Sequence, residues 1–256
     1  MSNNKMPMLF VGHGSPMNAI EDNEFTRKWE EVGKKLKTPK AILAISAHWY
    51  TNGTRIQEEE SPKMIYDMYG FPKEMYEIVY PAKGDPKLAR EAMELIGSKV
   101  TVDHTWGLDH GTWSVLVKMY PNAEIPVVQL SVDGNADSAE HYKMGTQLSK
   151  LREEGVLILA SGNVVHNLRE VDWENSEGTA WALDFDSYIK EAVLSGNYES
   201  AVNYHAHKSA VCAVPTPDHF YPLLYILGAA DKKDTITVFN DSCIMGSLSM
   251  TSYLFE

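Results

Sequence analysis

The chain has only two cysteines in 256 residues, Cys212 and Cys243, 31 positions apart and in no CxxC pattern. This excludes a disulfide framework and a thiolate zinc site, and leaves reduced thiols of the cytosolic kind as the expectation. Basic residues are also in deficit. With 23 Lys+Arg against 35 Asp+Glu the formal charge is −12, which argues against nucleic acid as a partner because phosphate contacts need clustered cations. Long apolar runs are missing too: the longest, Phe220 to Ala230, falls well short of the 18 or more residues that a spanning helix needs. Met1-Ser-Asn-Asn-Lys-Met leads directly into PMLFV, without a basic segment, an apolar stretch and a small-residue cleavage site. A cytoplasmic protein with no membrane partner is expected.

Cofactor fingerprints are equally scarce. No GxGxxG follows a strand-like run, there is no GxxxxGK[ST], and no HExxH is present. Gly-His-Gly-Ser-Pro at positions 12–16 is not the GxSxG elbow of a serine hydrolase, because Ser15 is followed by Pro16. Repeats, low-complexity tracts and Gly/Ser- or Pro-rich linkers are absent, so residues 1–256 are expected to form a single domain.

What is present is alternation. Short apolar, β-branched runs (Met8–Val11, Ala41–Ala47, Arg55–Glu59, Lys99–Val102, Val127–Ser131, Val156–Ala160 and Thr235–Phe239) are separated by segments of helical period (Glu24–Leu36, Pro86–Ile96, Trp113–Met119, Ala139–Leu151, Thr179–Ser195 and His219–Leu227). Several of the strands show no polar alternation, as burial on both faces requires. The pattern predicts an α/β fold with a central, largely parallel or mixed sheet and helices on both faces. Between Glu58 and Asp85, the turn formers Pro62, Gly70, Pro72, Pro81 and Gly84 and four tyrosines predict an irregular excursion able to wall a pocket.

The chemistry lies in the nine histidines. His13, His48 and His166 each closely follow a predicted strand, and in open α/β sheets ligands gather outside the carboxyl ends of strands. Gly12 and Gly14 around His13, and Ser161-Gly162-Asn163 before His166, keep the surrounding loops small. His219 stands where Thr216 or Asp218 could cap a helix with Pro217 in its first turn, a place that disfavours imidazolium and keeps the ring in its metal-binding form. His110 sits at a loop-to-helix junction after Asp109, with a pocket role and a capping role both open. His104 ends a predicted strand and is a weaker candidate, and His141, His205 and His207 are expected to be solvated. Imidazoles converging in this way make a metal site.

GHGSP around His13, SAHW around His48, GLDHGTW around His110, SGNVVHNL around His166 and TPDHFYPLLY around His219 together resemble the class III extradiol ring-cleavage dioxygenases (the LigB-like superfamily), in particular its 4,5-DOPA dioxygenase branch. The resemblance runs from about residue 8 to the C-terminal strand. It implies one metal ion per chain, Fe(II) or Zn(II), on His13, His48 and His219. His166 would then be the catalytic acid/base, close enough to the metal to count as a fourth ligand, with His110 as a second catalytic histidine of the pocket. The implied reaction opens a small catechol, DOPA-like, beside its two hydroxyls with both atoms of O₂. One departure concerns the third ligand, commonly a glutamate in the wider superfamily and His219 here. A neutral three-histidine set is also the pattern of catalytic zinc, so a zinc hydrolase using the same three residues is the alternative.

Overall fold

The computed structural model describes residues 5–97 and 100–256. Lys99, predicted to open the fourth strand, lies outside the described residues, as do the first four residues of the chain. An eight-stranded mixed sheet runs through the molecule. Its centre is built from β1 (Met8–Gly12), β6 (Val156–Gly162), β2 (Ala41–Thr51) and β5 (Val127–Asp133), all parallel. On one side β3 (Thr54–Gln57) is antiparallel to β5 and β4 (Val100–Asp103) parallel to β3. On the other, β10 (Ser252–Phe255) lies antiparallel between β1 and β7 (Ile236–Phe239). A two-stranded ribbon of β8 (Cys243–Ile244) and β9 (Leu248–Ser249) stands apart from the main sheet.

Every residue of β1 and β6 is buried, because each face of the sheet meets a separate apolar layer. Met8, Phe10, Leu43, Ile45, Ile158 and Ala160 face one layer, and Leu9, Val11, Ile42, Ala44, Leu157 and Leu159 face the other. Helices α4 (Ser138–Leu148) and α8 (Tyr221–Ala229) pack together on the first face, which α2 (Pro86–Ile96), α5 (Ala180–Ser195), α6 (Tyr198–Val202) and α7 (Ala210–Ala213) also cover, and α1 (Glu24–Lys35) and α3 (His110–Met119) pack on the second. Local chemistry fixes their starts. Asn23 and Thr26 form a reciprocal capping box on α1, and Asp109 and Asp137 accept first-turn amides of α3 and α4.

Parallel register sends the strands out together. Gly12 lies opposite Gly162, and Ser46 opposite Ser161, so β1, β2 and β6 release their chains at one edge. Between Ile45 and Tyr50 strand β2 spans five residues while β5 advances only two, from Leu130 to Val132. This bulge re-aims the side chain of His48 away from the regular pleat.

Three sequence expectations are corrected. The helix predicted from His219 starts at Tyr221. Pro217 to Phe220 form a turn in which Phe220 and Tyr221 donate their amides to the Pro217 carbonyl, and no side chain caps the helix. Helix α3 begins at His110 rather than Trp113, which puts this histidine in the first turn. His141 is buried, not solvated: α4 presses it against α8, where its ring stacks on Tyr221 with centroids 4.2 Å apart and Nδ1 donates to the Asp137 carbonyl at 2.7 Å. His205 is exposed and His207 half-buried, while His104 sits outside the site and contacts Glu59 at 2.8 Å.

Candidate metal centre

Five histidines meet at the carboxyl edge of the sheet. His13 follows β1, His48 leaves the bulge of β2, His110 opens α3, His166 lies four residues beyond β6 and His219 sits in the turn before α8. Ring centroids are 5.0 Å apart for His13 and His48, 5.3 Å for His13 and His219, and 3.7 Å for His48 and His110. His166 stacks on His219 with centroids 3.5 Å apart and planes within 3°. Close approach depends on a missing side chain: a Cβ on Gly162 would stand 2.2 Å from the carbonyl oxygen of His219, so β6 and the His219 turn can pack together only with glycine there.

The hydrogen bonds fix which nitrogen each ring offers. Ser161 donates its hydroxyl proton to the Gly111 carbonyl at 2.6 Å, so the same oxygen must accept from His13 Nδ1 at 2.9 Å. Asp67 Oδ2 lies 3.2 Å from His48 Nδ1, and Asp218 Oδ2 accepts from His219 Nδ1 at 2.5 Å. In all three rings Nδ1 carries the proton and Nε2 carries the lone pair. An oxygen partner behind a ring is what orients metal-binding imidazoles.

The free nitrogens fit a cation. His13 Nε2 and His48 Nε2 are 3.1 Å apart, and two lone pairs facing at that distance repel unless a cation lies between them. Ligands about 2.1 Å from a single ion are about 3.0–3.4 Å from each other. His219 Nε2 is buried and has no hydrogen-bond partner. Donor atoms of His13, His48 and His110 all lie within 4.8 Å of one another, and those of His166, Asp218 and His219 form a second such group. The structure thus brings together all five histidines singled out in the sequence, with His110 in the same donor group as His13 and His48.

Burial favours the neutral form of His13, His110, His166 and His219. It lowers His13 well below the ordinary histidine value, lowers His110, and takes His219 to about 4 and His166 to about 2, with neighbouring histidines adding to the effect. Burial pushes the Asp218 carboxyl up, but hydrogen bonds from His219 and Thr216 outweigh it and hold the group ionised, below the usual carboxylate range. Two acids escaped the sequence reading. Asp67 lies in the irregular excursion with no local pattern to mark it, and the sequence around Asp218 marks it only as a helix cap. A third, Asp109, is buried and spent on structure, accepting from Ser46 at 2.7 Å, from the Thr112 amide at 3.2 Å and from Gln129.

These shifts set the pH dependence of stability. His13, His110, His141, His166 and His219 all have lowered values in the folded state, so below pH ~6.5 the unfolded chain binds more protons and stability falls with pH. For His219 the loss runs from about 6.5 down to about 4. The raised carboxyls of Asp109 and Asp186 act in the opposite sense, but two groups face five. Melting of the metal-free protein should therefore move steadily to lower temperature between pH 7 and pH 4. A flat profile would contradict the burial of neutral histidines.

Comparison with known proteins agrees with the geometry. Residues 7–255 match the family described as the catalytic LigB subunit of aromatic ring-opening dioxygenase. Among curated relatives, 4,5-DOPA dioxygenase extradiol of Escherichia coli K12 is 48% identical over 98% of this chain and 95% of its own. The protein of that name from Beta vulgaris is 40% identical over 96% and 95%. A crystal structure of an uncharacterized protein from Escherichia coli K12 superposes with a TM-score of 0.87 at 44% identity, covering 98% of this chain and all of that one. The chain belongs to the LigB family of aromatic ring-opening dioxygenases. It is an enzyme of the extradiol type, with a histidine-rich site suited to a metal, and among the described residues no helix is long and apolar enough to cross a membrane.

Proposed function

We propose that the chain opens the ring of a small, DOPA-like catechol beside its two hydroxyls, adding both atoms of O₂, with one divalent metal on His13, His48 and His219. The observation that carries this reading is the set of three imidazoles with Ser161, Asp67 and Asp218 beside their Nδ1 atoms, His13 and His48 facing each other through Nε2 at 3.1 Å and His219 Nε2 buried without a partner. Fe(II) would supply the one-electron chemistry that lets O₂ react with the ring, whereas Zn(II) would hold and polarise a catechol without it.

The protein's own part is proton handling and orientation. His166, neutral and stacked on His219, takes the proton of one catechol hydroxyl and returns it as the ring opens. His110, with its Nδ1 side 3.0 Å from Asp67, turns its other nitrogen toward the second hydroxyl. The excursion carrying Asp67 walls the site and limits water. The cytoplasm, with its reduced thiols, is the compartment this reading places it in.

The test loads metal-stripped protein with Fe(II) or Zn(II) and supplies catechols and O₂, following oxygen uptake and the absorbance of ring-opened product. Turnover is expected with Fe(II) and not with Zn(II). Alanine at His13, His48 or His219 should sharply reduce bound metal, while His110→Ala should keep metal and lose rate. Hydrolysis without oxygen uptake would favour the zinc hydrolase, and metal lost with His110 but kept without His219 would exchange their roles.

A further inference from the structure

We propose that Asp67 is a positioning residue whose single carboxylate sets the ring orientation and tautomer of His48 and His110 together, making the 58–85 excursion a working wall of the site. This rests on the reading that His48 is a metal ligand. Asp67 Oδ2 lies 3.2 Å from His48 Nδ1, while Oδ1 lies 3.0 Å from His110 Nδ1 and accepts the His110 backbone amide at 3.0 Å. A proton on each of these ring nitrogens is favoured, since a lone pair there would face negative charge, although the His110 Nδ1 contact lies off the hydrogen-bond direction. Both rings therefore present Nε2 to the interior, although one is assigned to the metal and the other to the substrate.

The carboxylate is held from behind. Ile65 donates its amide to the Leu108 carbonyl at 2.8 Å, Leu108 donates to the Lys63 carbonyl at 2.8 Å, and Trp113 Nε1 donates to the Ile65 carbonyl at 3.1 Å. Tyr66 donates to the Ile78 carbonyl at 2.5 Å. A Cβ on Gly107 would stand 1.9 Å from the Lys63 carbonyl oxygen, so the excursion is seated directly on the loop that delivers Asp109 and His110. Among the described residues no other acid does this work: Asp109 is engaged by Ser46, Thr112 and Gln129, and Asp218 by His219. The rings of His48 and His110 are only 3.7 Å apart, so a flip of either would disturb the other.

Asp67→Asn preserves shape but offers one acceptor oxygen and one NH₂, which can satisfy one ring N–H and must oppose the second. In the full-length, zinc-loaded protein, competition with a chelator should show zinc held about 10–100-fold more weakly, the usual cost of removing a partner behind a metal-binding histidine. Nitrogen-15 spectra should show Nδ1–H on both His48 and His110 in the wild type and its loss from one of them in the variant. The melting temperature should stay close to wild type. Should Asp67→Asn fail to fold, Asp67→Ala carries the test, with added formate expected to restore zinc retention. Zinc affinity within twofold of wild type with both tautomers retained would overturn the proposal, as would an alanine variant indifferent to formate. Neither readout uses turnover, so failure of the ring-cleavage reading would leave the outcome for Asp67 distinct.

Discussion

Alanine in place of His166 is expected to lower ring-opening turnover by roughly 10²–10⁴-fold while bound metal persists, the range typical of removing a positioned acid/base. His166 is distinguished from the three proposed ligands by how it is held. Its backbone amide donates to the Ala213 carbonyl at 2.9 Å and its main chain bridges to Leu248, so the ring is fixed from the backbone rather than by an oxygen partner behind Nδ1. Its closest ring contact is the face of His219 at 3.5 Å. Two imidazolium ions stacked in that way would repel strongly, and burial, followed by the charge of His219, drives His166 to about 2. A ring kept neutral in this way retains an unprotonated nitrogen beside the other donors. Elemental analysis, circular dichroism and steady-state rates on the same preparation provide the check. Metal content falling in proportion to rate would make His166 a fourth ligand and end its assignment as a separate acid/base.

The sequence carried the layer architecture and most of the site for one physical reason. A strand buried on both faces loses its polar alternation, so MLFV, AILAISA and VLILA identify themselves, and parallel pairing then brings their carboxyl ends to a single edge. His13, His48 and His166 could be grouped on that basis. Residues whose place depends on partners distant in sequence could not. Strand β10 is a four-residue run without period, and only pairing with β1 and β7 makes it a strand. His141 stands in polar helical sequence, and nothing local reveals that α8 covers its face with Tyr221 and Tyr225. Asp67 reaches the site from a segment without periodicity. The excursion itself was foreseeable from its turn formers, but the one acid in it that matters was not.

At the opposite edge of the sheet, Arg152→Ala is expected to destabilise the protein by about 3–5 kcal/mol, because it leaves a buried carboxylate without its partner. The Arg152 side chain is 1% exposed and that of Asp234 is fully buried. Their two hydrogen bonds are 2.6 and 2.7 Å long, in the bidentate geometry that suits guanidinium and carboxylate. The same guanidinium donates to the Met6 carbonyl at 2.9 Å and to the Ala229 carbonyl at 3.1 Å, and the Arg152 carbonyl accepts the Met6 amide at 2.8 Å. One side chain therefore ties the approach to β1, the end of α8 and the approach to β7. Removing it orphans two carbonyls as well as a charge. For a chain of this size the loss corresponds to a fall in melting temperature on the order of 10 °C. The attraction within the pair is largely offset by the cost of drying both groups, so replacing both by apolar residues of similar volume, as in Arg152→Met with Asp234→Leu, should cost less than removing Arg152 alone. Metal content per folded molecule should not change, since these residues lie at the amino ends of β1 and β6 and the histidines beyond the carboxyl ends. Thermal melts of the single and double variants decide the matter. An Arg152→Ala protein within about 1 kcal/mol of wild type, the range of an exposed pair, would mean that water reaches Asp234 and that the pair does not anchor this edge of the sheet.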